Sequence, residues 1–131
     1  MKNEAIFPDD PQKWSATYSP AVAVKSANLL FISGQVAFDD KGKVVSPGDV
    51  VAQARKIFDN IRLLLNKAGI DFSDVVKTNY YVTDVTQFSK VVALRKEYFS
   101  GVLPASTMVE VKGLVHEDLM LEIEAVAVLK K

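Results

Sequence analysis

Between Val50 and Ala68 the apolar side chains keep a helical rhythm. Val50, Ala54, Ile57, Ile61, Leu64 and Ala68 follow spacings of four, three, four, three and four, and Val51, Phe58 and Leu65 widen the stripe. One face of a helix of about five turns is therefore apolar and has to be buried. In front of it, Ser46-Pro47-Gly48-Asp49 reads as an N-cap serine, a proline at the first helical position and an acid at the third. Behind it, Gly69 reads as a left-handed C-cap. Such a helix needs a partner surface, and the rest of the chain offers strands.

Ala21-Val22-Ala23-Val24 and Leu29-Leu30-Phe31-Ile32 read as two strands separated by Lys25-Ser26-Ala27-Asn28. Val36-Ala37-Phe38 runs through the turn Asp39-Asp40-Lys41-Gly42 to Val44-Val45, an optional third strand. From Asp74 to Thr83 the side chains alternate, with Val76, Thr78, Tyr80 and Val82 on one side and Lys77, Asn79, Tyr81 and Thr83 on the other. A second helix is expected from about Gln87 to Phe99, with Phe88, Val91, Val92, Leu94, Tyr98 and Phe99 inward. Two strands close the chain, one with Thr107, Val109 and Val111 alternating with Ser106, Met108, Glu110 and Lys112. The other sets Leu121, Ile123, Ala125 and Ala127 against Glu122, Glu124, Val126 and Val128. Residues 1–15, polar and carrying Pro8 and Pro11, are expected to form an irregular arm that Trp14 anchors by packing.

The order β-β-(β)-α-β-α-β-β implies an α+β fold, one domain over residues 1–131, with two helices on one face of a mixed sheet. Tyr80, Val82, Met108, Val126 and Val128 are too many large groups for the helix side alone. The second face is therefore expected to be partly apolar and to favour oligomerisation.

Sixteen basic and sixteen acidic side chains cancel, so the chain lacks the clustered positive charge that phosphate neutralisation requires, and no nucleic-acid partner is expected. With no cysteine, disulfides, thiol nucleophiles and thiolate metal sites are excluded together, which fits a reducing compartment. The single histidine, His116, excludes a multi-histidine metal site, and no metal is expected. No phosphate-binding glycine loop is present. The first residues lack the apolar stretch of ~7–15 that a signal peptide needs. No run approaches the ~18 apolar residues of a membrane span, so a cytoplasmic address without membrane contact is expected.

The carboxylates Glu122 and Glu124 lie two apart on a strand and share a face. Desolvated together, they suit acid or base work; solvated, they are an ordinary polar face or partners of Lys112 and Lys130, and Glu110 is expected on the adjacent strand. Ser33 has no adjacent base and no nucleophile elbow, so it fits positioning a ligand or satisfying buried backbone better than attack. Tyr18 either caps a cleft or packs in a strand. Gly34 permits close backbone approach. His116, beside Glu117 and Asp118, reads as a surface histidine of a turn.

Several segments, in order and spacing, resemble the Rid/YjgF family of reactive-intermediate deaminases, also described as endoribonuclease L-PSP. They are Tyr18-Ser19-Pro20-Ala21-Val22, Asn28-Leu29-Leu30-Phe31-Ile32-Ser33-Gly34-Gln35, Ala68-Gly69-Ile70, Asp74-Val75-Val76-Lys77-Thr78, Tyr81-Val82-Thr83-Asp84, Tyr98-Phe99, Leu103-Pro104-Ala105-Ser106-Thr107-Met108-Val109-Glu110-Val111 and Leu121-Glu122-Ile123-Glu124-Ala125-Val126-Ala127-Val128. The resemblance covers residues 16–130. It implies a chorismate-mutase-like fold, a homotrimer whose sheets form a central barrel, and clefts between subunits that bind a small molecule without a cofactor. It assigns Glu122 to organising the attacking water, and Tyr18, Ser33 and Gly34 to placing the substrate. Ser106 falls where deaminating members carry the arginine that grips a substrate carboxylate, with Thr107 beside it. A two-pronged charged contact is worth ~1.5–3 kcal/mol. The resemblance therefore implies a deaminase of altered specificity that takes an uncharged enamine, imine or carbonyl compound rather than a 2-imino acid. Arg95, on the second helix, is the remaining arginine with a path to a cleft. A non-catalytic, metabolite-binding trimer is the alternative, and a ribonuclease the third reading, which the neutral charge opposes.

Overall fold

A computed structural model describes residues 2–13 and 17–131; Trp14 and its proposed anchoring role lie outside them. Six strands form one sheet: β1 (Glu4–Ile6), β2 (Ala21–Val24), β3 (Leu29–Gln35), β4 (Val75–Val82), β5 (Ala105–Glu110) and β6 (Leu121–Val128). Their order across the sheet is β1-β2-β3-β6-β4-β5. Only the β4–β5 pair is parallel among these neighbours, and the helix α2 (Phe88–Arg95) joins those two strands. The long helix α1 (Val50–Lys67) connects β3 to β4, and β6 inserts between them.

The helical stripe is the core. Val50, Ala54, Ile57, Phe58, Ile61, Leu64 and Leu65 are buried against Ala21, Ala23, Leu30, Ile32, Leu121, Ile123, Ala125 and Ala127 of the sheet. Gly69 sits at φ 77°, and Ile70 N donates to Leu65 O while Gly69 N donates to Asn66 O, both 3.0 Å. This is a Schellman ending, which favours glycine at the left-handed position. The start differs from the sequence expectation. Asp49, not Ser46, is the N-cap, accepting from Ala52 N at 3.0 Å. Gly48 at φ 85° cannot continue a helix, so Ser46 and Pro47 belong to the preceding turn.

The N-terminal arm is not wholly irregular. Its residues 4–6 pair with Ala21–Ala23, because a free edge of β2 was open to them. Residues 36–45 contribute only the bridge Phe38–Val44. The helix α2 ends at Arg95 rather than Phe99, and Val92 faces outward, 38% exposed. Tyr98 and Phe99 still pack: Tyr98 stacks on Phe58 at 4.7 Å and Phe99 meets Phe72 edge-on at 5.2 Å.

A bulge at the start of β4, where Val75 and Lys77 face consecutive residues of β6, leaves Val76 exposed and Val75 buried. From Thr78 onward the expected alternation holds, and Thr78, Tyr80 and Val82 point to the helices. Met108 pairs with Tyr80 and shares that side. Of the five large residues expected to overflow the helix side, Tyr80, Val82 and Met108 fit on it; Val126 and Val128 lie on the other face. That open face also carries Phe31 (47% exposed) and Val109 (44%). No helix of the described residues is long and apolar enough to cross a membrane.

Candidate functional site

Pairing register places Lys77, Asn79 and Tyr81 of β4, Thr107 of β5, and Glu122 and Glu124 of β6 on the open face. Tyr81 Oη donates to Glu124 Oε1 at 2.6 Å, and Asn79 Nδ2 donates to the same oxygen at 2.9 Å. Lys77 Nζ donates to Thr107 Oγ1 at 2.7 Å. Glu124 is thus held by two donors, and its bond to Tyr81 raises the phenol's pKa above the ordinary value, with burial adding to it.

Glu122 is the contrasting carboxylate. It has no hydrogen bond among the described residues, and its side chain lies across the backbone of Gly34. A Cβ placed on Gly34 would stand 2.8 Å from the Glu122 carboxylate carbon and 3.0 Å from its Cγ. A side chain at position 34 would therefore displace the glutamate from this place. Burial first, and the neighbouring Glu124 charge second, push the Glu122 carboxyl above the usual value of 4.5. The approach is made possible by a bulge: Ile32 pairs with Ala125 and Gln35 with Ile123, so Ser33 and Gly34 bow out of register.

Ser33 spends its proton on Ser19 O at 2.6 Å, while Ser33 N donates to Pro20 O at 2.9 Å. The hydroxyl clamps the segment entering β2 and keeps lone pairs for accepting. Tyr18, next to that clamp, is 55% exposed. Gln53, buried on α1, anchors the entry to β6, donating to Asp118 O at 2.9 Å and accepting from Met120 N at 2.8 Å.

Ser106 is on the other side of the sheet. It pairs with Thr78, and its Oγ accepts from Arg95 Nη1 at 3.2 Å. A cleft of about 190 Å³ opens here, lined by Tyr80, Val92, Arg95, Lys96, Phe99, Leu103 and Pro104. A larger, shallower depression of about 400 Å³ lies at the β1–β2 end, among Glu4, Lys25, Lys67 and Lys130. Lys25 there is already paired to Glu4 at 2.5 Å, and none of the predicted site residues reaches it.

The residues singled out from sequence therefore divide. Gly34, Glu122 and Thr107 share the open face, with the Ser33 clamp and Tyr18 at its β2 end, whereas Ser106 belongs to the helix side. Glu110 does not join the glutamates: β4 stands between its strand and β6, contrary to the expected adjacency, and its Oε1 accepts from Val85 N at 3.0 Å. His116 holds a surface turn, accepting from Asp118 N at 3.0 Å. Asn79, Tyr81 and Lys77 were given no role from sequence. The alternation that set them on one side of β4 was the available signal, and only the pairing with β6 reveals what they face.

The family model described as Endoribonuclease L-PSP matches residues 10–129. Over 124 residues the chain is 38% identical to a RutC family protein of Pyrococcus horikoshii, covering 95% of this chain and 96% of that one. It is 40% identical over 111 residues to the 2-iminobutanoate/2-iminopropanoate deaminase of Mus musculus, covering 85% and 80%. A crystal structure of a conserved Rid family protein from Yersinia pestis matches with a TM-score of 0.87 at 30% identity, over 98% of this chain and 100% of that one. The same mixed sheet with two helices recurs there.

Proposed function

The chain belongs to the endoribonuclease L-PSP family, which includes Rid and RutC proteins, and from that premise we propose that it is a hydrolytic deaminase of a small enamine or imine. The observation that carries this reading is Glu122. It is a half-buried carboxylate, free of hydrogen bonds among the described residues, laid over a backbone that glycine keeps bare. Burial raises its pKa above the ordinary carboxylate value, which makes the ionised group a stronger base.

In the proposed reaction the imine reacts as its protonated iminium. Ionised Glu122 takes a proton from water as the water oxygen bonds to the iminium carbon, and the C=N π pair moves to nitrogen, giving a neutral carbinolamine. Glu122 then returns its proton to that nitrogen; as the C–N bond breaks, an oxygen lone pair forms the carbonyl, and the hydroxyl proton passes to the departing ammonia, which leaves as ammonium. An enamine enters after protonation at carbon. Thr107, Ser33, Gly34 and Tyr18 are the polar and backbone groups available to place the substrate.

The site is proposed to lie between subunits of a homotrimer. Glu122 and Ser106 stand on opposite faces of one sheet, so a cleft using both draws them from two copies. The exposed Phe31, Val109 and Val128 support a covered open face in the assembly. The test is Glu122→Ala: ammonia release from a 2-aminoacrylate-type intermediate should disappear while the mass in solution stays that of the trimer. Full turnover in that variant removes the mechanism. If the unaltered protein binds a metabolite without releasing ammonia, the binding-module reading, which Ser106 favours, takes its place.

A further inference from the structure

The helix-side cleft has a charge arrangement that the chemistry of Glu122 does not use. Arg55 is paired with Glu97 at 3.2 Å and Arg62 with Asp59 at 3.6 Å. Arg95 has no acidic partner among the described residues. Its guanidinium lies 5.1 Å from the ring centre of Tyr80 and 5.4 Å from that of Phe88, and donates one bond to Ser106 Oγ. Stacking and that bond orient the fork, and its other N–H groups are left for a ligand. Lys96 lines the same cleft, and no carboxylate does.

Tyr80, whose ring lies under the guanidinium, has a buried Oη with no hydrogen-bond partner among the described residues, and so does the buried Oγ1 of Thr78 two residues before it on β4. Both residues are about 1% exposed. Buried groups of this kind are ordinarily satisfied, and one without a partner is costly. Val92, Phe99, Leu103 and Pro104 supply an apolar wall. Two cations without a carboxylate beside them and a short apolar wall fit a carboxylate head on a small aliphatic body.

We propose that Arg95, oriented by Ser106 and stacked on Tyr80, is the specificity-determining residue of this cleft and binds the carboxylate of a small organic acid. The guanidinium absent from position 106 in sequence is supplied in space from α2. As a statement about substrate this rests on the deaminase reading, and it turns that reading from uncharged compounds to acidic ones. As a statement about binding it stands alone.

The experiment is a calorimetric titration of the full chain with 2-oxobutanoate and, separately, with its uncharged counterpart 2-butanone. The acid should bind and the ketone should not. Arg95→Met should weaken the acid about 10–100-fold, the loss of one charged contact. Arg95→Lys should fall between, since an ammonium keeps charge but not the fork. Val92→Trp, which fills the cleft without touching charge, should weaken binding as well. Equal affinity for acid and ketone, or binding indifferent to both Arg95→Met and Val92→Trp, overturns the proposal. Arg95-dependent binding without ammonia release from any imine leaves it standing and fells the deaminase reading. Turnover of 2-imino acids indifferent to Arg95→Met does the reverse.

Discussion

The strand β6 carries two kinds of surface in alternate residues. Leu121, Ile123, Ala125 and Ala127 are buried under the helices, each 3% exposed or less. Glu122, Glu124 and Val126 on the open face are only half-buried, and Val128 is 41% exposed. The covered face is closed by apolar contact, and its demands are met almost entirely within one chain. The open face holds its polar groups by specific bonds, Tyr81 and Asn79 to Glu124, and leaves Glu122 without one. The difference separates what makes the fold from what equips it: packing on one side, unmet chemical capacity on the other.

Two substitutions test that division, the larger effect first. Leu64→Ala removes a wholly buried side chain of α1 and should cost ~2–5 kcal/mol in denaturant unfolding, with turnover per folded molecule unchanged. A cost under about 1 kcal/mol would mean the covered face is less tightly packed than its burial indicates. Gly34→Ala should do the opposite. Its methyl displaces the end of a flexible glutamate, so the fold should persist, while ammonia release should fall roughly 10–100-fold from misplacement of the carboxylate. Unaltered release would show that Glu122 does not act from where it lies.

The covered face was legible in the sequence because burial imposes a period. The stripe from Val50 to Leu65 and the alternation in β6 each name their inward residues directly. Gln53, wholly buried, was missed because its role depends on the distant backbone of Asp118 and Met120. Strand β1 was missed because Glu4-Ala5-Ile6 has no pattern of its own and is held by the edge of β2. At the candidate site, the sequence put Glu122 and Glu124 on one face and marked Gly34 for close approach. It did not show that Ser106 faces the other way, since that follows from the parallel register of β5 on β4. Nor did it bring Arg95 to Ser106. A helix position eleven residues away meets a strand only through the turn that follows α2.

The smallest expected effect is also the most specific to Glu122. Its carboxyl is harder to ionise in the folded chain than in the unfolded one. Below the ordinary carboxylate pKa that group therefore adds its full share of stability, and the share is lost as pH rises through the raised native value. In thermal unfolding, the unaltered protein should lose a little stability across that window, and Glu122→Gln should lose less. The side chain is half-exposed, so solvent screening keeps the difference below about 1 kcal/mol. Burial is the larger cause and the Glu124 charge the smaller. Glu124→Gln should therefore narrow the window without closing it. If that variant abolishes the pH dependence, repulsion between the two carboxylates governs Glu122, and the open face owes its proton chemistry to charge rather than to burial.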